Sequence, residues 1–240
     1  MPAADLDYRH IGTLGGSPLD LTNPRARLAI CLCLDTSASM KGHPINELNS
    51  GVRLFCETIR SKDEVRYAAD LAIVTFGHKG VQCLRSFSQL YESPNPPSMS
   101  ASGMTPMGEA VNLALDMIEE RRNQYRAAGI QYYHPWLVLM SDGMPNGDEQ
   151  EEQRAALRSR ELCDESRLAV FPIGIGRDAD RASLAQFTNQ RVPMKLRGLN
   201  FADFFEWLGK SAYGTSISKV GEKVPTPPIT WGTDGGWGTI

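Results

Sequence analysis

The sequence predicts an α/β domain: a doubly wound, mainly parallel central sheet with one antiparallel edge strand and helices on both faces. Three observations carry this expectation. Short, continuous apolar runs recur along the chain, as strands covered on both faces require. Segments with apolar residues at helical spacing alternate with them. One pair of runs is separated by too few residues for a parallel crossover, so that pair must be antiparallel.

The elements follow in order. Residues 1–26 are rich in Gly, Pro and Asp, have no period, and read as an N-terminal arm. Residues 28–34, Leu28-Ala29-Ile30-Cys31-Leu32-Cys33-Leu34, are a continuous apolar run and read as a central strand. Pro44 suits a first helical turn, and Ile45, Leu48, Val52, Phe55, Cys56 and Ile59 follow at helical spacing. Residues 71–76 form a second buried strand, and residues 81–87 a third after the turn at 77–80. That short turn is what makes the third strand antiparallel. A Pro/Ser loop at 94–103 leads to a long helix opened by Pro106 and carrying Ala110, Leu113, Ala114, Met117 and Ile118.

Residues 136–140 are the next strand, closed by Ser141-Asp142-Gly143, and an acidic helix covers about 148–166. A strand at 168–174, a helix at about 179–189, a short strand near 192–196 and a helix at about 201–212 complete the series. The main domain is thus expected over 27–215, followed by a tail at 216–240 that holds Trp231 and Trp237 and forms no core element.

Bulk properties exclude several function classes. The 240 residues are ample for a buried core. Twenty-five Lys plus Arg against 28 Asp plus Glu leave a net charge of -3, without the basic stripe that nucleic-acid binding needs. No polybasic segment suits a membrane surface, and no apolar run reaches the roughly 18 residues of a membrane span. The first residues lack a basic stretch followed by an apolar one, so no secretory leader is expected. Five scattered cysteines do not make a disulfide framework and fit a reducing cytoplasm. Cys31 and Cys33 alternate in a strand and read as small buried thiols on one face.

Three polar features end or follow apolar segments: Asp35-x-Ser37-x-Ser39, Ser102-Gly103-Met104-Thr105, and Asp142. In an open α/β sheet, ligands bind beyond the carboxyl ends of strands where the strand order reverses. For the order 3-2-1-4-5-6, strands 1 and 4 flank that reversal, and Asp35 and Asp142 follow these two strands. Each feature has a plain structural reading: Thr105 as a helix cap, Asp142-Gly143 as a turn, the serines as loop polarity. Together, two carboxylates and three hydroxyls offer oxygen ligands only, which suits a hard divalent cation: Mg²⁺, with Mn²⁺ or Ca²⁺ as alternatives. Neutral hydroxyls leave such an ion under-neutralised and attractive to an external carboxylate.

Asp35-Thr36-Ser37-Ala38-Ser39-Met40, Gly103-Met104-Thr105 and Ser141-Asp142-Gly143 resemble the metal-ion-dependent adhesion site of von Willebrand factor A domains. The resemblance implies the Rossmann-like fold of that family and no enzymatic activity. It implies that Ser37, Ser39 and Thr105 touch the metal, that Asp35 and Asp142 act directly or through water, and that a protein partner supplies a Glu or Asp. Ala38 departs from close bacterial relatives, which often have Gly there. The segments 100–110, 142–145 and 171–176 look like the stand-alone bacterial members of the tellurium-resistance group. That likeness implies a cytoplasmic protein in a stress, tellurium-resistance or phage-defence system, with a Ser/Thr kinase-like protein and a metal-dependent protein phosphatase as partners.

Rival readings are weaker. An Asp-nucleophile phosphohydrolase wants a second acid two residues after Asp35, where this chain has Ser37. A nucleotide-binding domain wants GxGxxG or a P-loop lysine, and Ile173-Gly174-Ile175-Gly176 supplies neither. A third reading places partner binding in the terminal arms, with Pro225, Pro227, Pro228, Trp231 and Trp237 in a partner groove and the metal site incidental.

Overall fold

The structure is a computed structural model that describes residues 16–77, 79–91, 95–176, 179–196 and 200–222, and the backbone of 238–239. Trp231, Trp237 and the tail prolines lie outside the described residues. So does the arm before Gly16.

β1 (Leu28–Thr36) has all nine residues buried, as its apolar run requires. It is followed by α1 (His43–Arg60), with Pro44 in the first turn, then α2 (Asp63–Ala68) and β2 (Ala69–Gly77). β3 (Gly80–Gln89) returns antiparallel along β2. Next come α3 (Met107–Ala127), β4 (Trp136–Ser141), α4 (Glu149–Asp164) and β5 (Ala169–Gly174). α5 (Arg181–Ala185), β6 (Met194–Leu196) and α6 (Phe201–Ser216) close the domain. The sheet order is β3-β2-β1-β4-β5-β6-β7, where β7 (Gly238–Thr239) pairs antiparallel with β6. β1 is parallel to both β2 and β4, so the order reverses at the β1–β4 seam, as the sequence predicts.

Alternation along β1 divides the core. Leu28, Ile30, Leu32 and Leu34 join the cluster formed with α1 and α6. Ala29, Cys31 and Cys33 face the cluster formed with α3 and α4, where small side chains let the helices sit close. Burial pushes both thiols up, as expected of inert core cysteines. Among the described residues no helix is long and apolar enough to cross a membrane.

Three local features differ from the sequence expectation. α2 is too short to show a helical period. α5 ends at Ala185, where the sequence suggests a helix to about 189. There the Thr188 hydroxyl accepts from the Gln190 backbone N–H at 3.1 Å, a local bond that competes with helix continuation. The tail also contributes two strand residues, although it adds nothing to the core clusters described.

A buried ion pair ties the arm to the sheet. Arg121 on α3 donates to Asp70 Oδ2 on β2 at 3.0 and 2.7 Å, and the Tyr125 hydroxyl donates to the same oxygen at 2.5 Å. Arg121 also donates to the Ser17 carbonyl at 2.7 Å, while the Ser17 N–H reaches the Phe87 carbonyl at 2.8 Å. Both charged side chains are almost without exposure. Removing one partner strands the other charge in the core. Arg121→Met should therefore cost about 3–5 kcal/mol in urea denaturation. A loss within the surface-substitution scatter of about 0.5 kcal/mol would show that the pair is dispensable.

Candidate metal centre

Asp35 stands one step beyond the Leu34–Met140 pair of the β1–β4 ladder, level with Ser141. The Ser141 hydroxyl donates to Asp35 Oδ2 at 2.5 Å, and the Ser37 amide donates to Asp35 Oδ1 at 2.8 Å. The second bond is an Asx turn, which reverses the chain as it leaves the strand. A 3₁₀ turn at Ala38–Met40 follows, anchored by the buried Met40. It lifts Ser39 to the surface, where its hydroxyl lies 2.9 Å from that of Ser37 and donates to Asp142 Oδ1 at 2.8 Å.

The loop before α3 is held to both neighbours. Ser102 N–H donates to the Thr36 carbonyl at 2.9 Å, and Ala38 N–H to the Gly103 carbonyl at 3.1 Å. Thr105 N–H donates to Asn146 Oδ1 at 2.5 Å, and Asn146 N–H returns to the Thr105 carbonyl at 3.1 Å. Farther back, Asn49 of α1 clamps Met99 through both its amide atoms, at 2.9 and 2.8 Å. β2 closes the floor. Gly77 has φ 136°, and a Cβ there would meet the Thr36 and Ser37 backbone at 2.3–2.4 Å, so only glycine fits.

Asp35, Ser37, Ser39 and Asp142 are thus joined in one hydrogen-bonded chain. Thr105 arrives beside them on a loop fastened to the same turn. It is 6% exposed, and its described hydrogen bonds run through the backbone. The helix-cap reading of Thr105 is not realised, because Pro106 occupies the cap position of α3 and no side chain caps it. Ser141, already part of the Ser141-Asp142-Gly143 motif, completes the site with Asn146, Asn49 and Gly77, which sequence reasoning did not single out. Gly77 carried a faint signal as the first residue of the turn after an apolar run. The two asparagines had none.

Electrostatics show what the cluster lacks. Burial raises the Asp35 carboxyl above the usual carboxylate range; the Ser141 and Ser37 bonds partly offset this, and the like charge of Asp142 adds to it. Burial also raises Asp142, offset in part by Ser39. Among the described residues, the groups acting on either carboxylate include no lysine or arginine. Among the described residues no group of three or more His, Cys, Asp or Glu is placed to hold a metal. Any cation here would rest on two carboxylates and neutral hydroxyls. All of these donors are oxygens, which fits a hard divalent ion.

The model for the von Willebrand factor type A domain matches residues 29–204. The chain belongs to this family. Its fold is similar to that of a von Willebrand factor type A protein from Catenulispora acidiphila, with TM-score 0.61, 16% identity, and coverage of 79% of this chain and 43% of that one. It is also similar to the vWF domain of the type V pili tip protein Mfa5 from Porphyromonas gingivalis, with TM-score 0.58, 12% identity, and coverage of 83% and 99%. A third likeness is to the pilus adhesin SpaC from Lactobacillus rhamnosus GG, with TM-score 0.57, 12% identity, and coverage of 79% and 31%. The chain spans less than half the length of the first and third of these. None of the curated proteins compared matches it significantly.

In this von Willebrand factor A domain, Ser141 supplies the donor that keeps a buried carboxylate oxygen satisfied. Ser141→Ala should leave Asp35 Oδ2 without that donor and lower stability by about 1–3 kcal/mol in chemical denaturation. An unchanged midpoint and slope would mean that Asp35 reorients at no cost.

Proposed function

We propose that this domain is a non-enzymatic protein-interaction module that captures a partner carboxylate through a bound divalent cation, Mg²⁺ by preference. One observation carries the reading. One buried and one half-buried carboxylate and two hydroxyls are linked in a single hydrogen-bonded chain at the β1–β4 switch point, with no basic side chain among the described residues acting on the acids. Such a cluster is under-compensated as it stands and suited to a cation.

Ser37, Ser39 and Thr105 would hold the ion, with Asp35 and Asp142 as direct or water-mediated ligands. When bound, the ion supplies a positive centre with an open position for an external Glu or Asp. The chain itself supplies geometry. Ser141 and the Ser37 amide occupy both Asp35 oxygens and fix that carboxylate, and the Thr105–Asn146 pair holds the second and third loops in register. A carboxylate pinned in this way, and without exposed surface, is poorly placed as a nucleophile, which supports the non-enzymatic reading. The motif likeness to the tellurium-resistance group extends the proposal. It points to a cytoplasmic role in a stress or phage-defence phospho-signalling system, with a kinase-like protein and a metal-dependent phosphatase as partners. The arm-based alternative rests on residues outside those described.

Mg²⁺ at one hundred times its dissociation constant should stabilise the wild-type domain by about 2.7 kcal/mol. EDTA should remove this gain, and Asp142→Ala should abolish it. Equal stabilisation of Asp142→Ala would sink the assigned ligand set. Partner capture by the tagged chain should be lost in EDTA and in Asp35→Ala. Capture that survives both would favour the arms.

A further inference from the structure

At the opposite end of the sheet lies a cavity of about 700 Å³. Its walls include Trp136 and Ala169, the first residues of β4 and β5, together with Thr215 near the end of α6. The metal centre follows the other end of β4, six residues on at roughly 3.3 Å each. The two sites are therefore distinct. The volume falls within the range of about 300–1,000 Å³ usual for small-molecule pockets.

Two chemistries meet in this cavity. Tyr133, Trp136 and Phe171 provide aromatic wall, with the Trp136 and Phe171 rings 5.2 Å apart. Arg191, on the loop before β6, lies with its guanidinium carbon 4.4 Å from the Phe171 ring centre. Arg191 makes no ion pair among the described residues, although Glu222 also lines the cavity. Burial holds its pKa down. The guanidinium sits over the Phe171 ring. Its in-plane N–H fork, the part that recognises carboxylate and phosphate, makes no hydrogen bond to a described residue. A half-buried cation without a counter-ion costs free energy that an anion would recover.

We propose that this cavity binds a small anion, a carboxylate or phosphate carried on a planar apolar body. Arg191, held over the buried Phe171 ring, takes the anionic group, and the apolar body lies against Tyr133 and Trp136. The inference does not depend on the metal centre.

Calorimetric titration of the full chain with matched pairs tests it: indole-3-acetate against indole-3-acetamide, and adenosine 5′-monophosphate against adenosine. The pairs separate a carboxylate ligand from a phosphate one. At least one anion should bind about tenfold more tightly than its neutral partner, as expected for a charge-assisted contact. Arg191→Met should reduce that preference to about twofold or less. Circular dichroism checks the fold of Arg191→Met; if that variant does not fold, Arg191→Gln takes its place. Equal binding of anion and neutral partner in the wild type, or a preference that survives loss of Arg191, overturns the proposal. So does a lack of binding by all four compounds.

Discussion

Asp35 is an ionisable group at the end of a strand with no exposed surface, and the loops around it are arranged to make that burial tolerable. A lone carboxylate moved into a protein interior loses several kcal/mol of hydration. Here two donors answer that cost directly, and a chain of hydroxyls extends from them. The Ser37 amide and Ser141 hydroxyl take one Asp35 oxygen each, and the Ser37 hydroxyl passes the chain on through Ser39 to Asp142. Two of these bonds are local to the 35–39 turn, and two join that turn to the end of β4 and the residue after it. The Asp35–Ser141 bond spans the seam where strand order reverses, so the topology of the sheet and the satisfaction of this carboxylate are one constraint.

The same logic explains why the site is rigid although it sits on loops. β1 and β4 are buried along their whole length, so their ends cannot drift. Met40 plugs the 3₁₀ turn into the α1-side core, Asn49 clamps the backbone at Met99, and Asn146 clamps Thr105. Gly77 lets β2 press directly against Thr36 and Ser37. The hydroxyls and carboxylates are therefore presented by a frame whose own polar groups are already paired.

Much of this was legible in the chain. Continuous apolar runs such as residues 28–34 and 136–140 have one reading in a mixed α/β pattern, and the polar residues that end them fall at the carboxyl edge by topology alone. Asp35, Ser37, Ser39 and Asp142 were legible for that reason, and the structure links them directly. What escaped was long-range. Asn49 finds Met99 across 50 positions and Asn146 finds Thr105 across 41, and neither asparagine differs locally from any loop or helix asparagine. Arg191 was equally silent, because the lack of an ion-pair partner among the described residues is a property of its surroundings. α2 and the early end of α5 escaped because a helix of one or two turns carries no period to read, and side-chain bonds such as Thr188 to Gln190 decide its length.

The donor set also bears on which ion the proposed site would prefer. Ca²⁺ takes about six to eight oxygen ligands and accepts irregular geometry, whereas Mg²⁺ takes about six in a tight octahedron and keeps several waters. This cluster offers two carboxylates and three hydroxyls, and both oxygens of Asp35 already accept protein donors. Few direct carboxylate contacts remain, too few for a Ca²⁺ cage. A small ion that retains water and leaves a position open fits the count better. The cluster's economy in negative charge has a functional consequence: each hydroxyl that stands where a carboxylate could have stood leaves more positive charge for an acidic partner to neutralise.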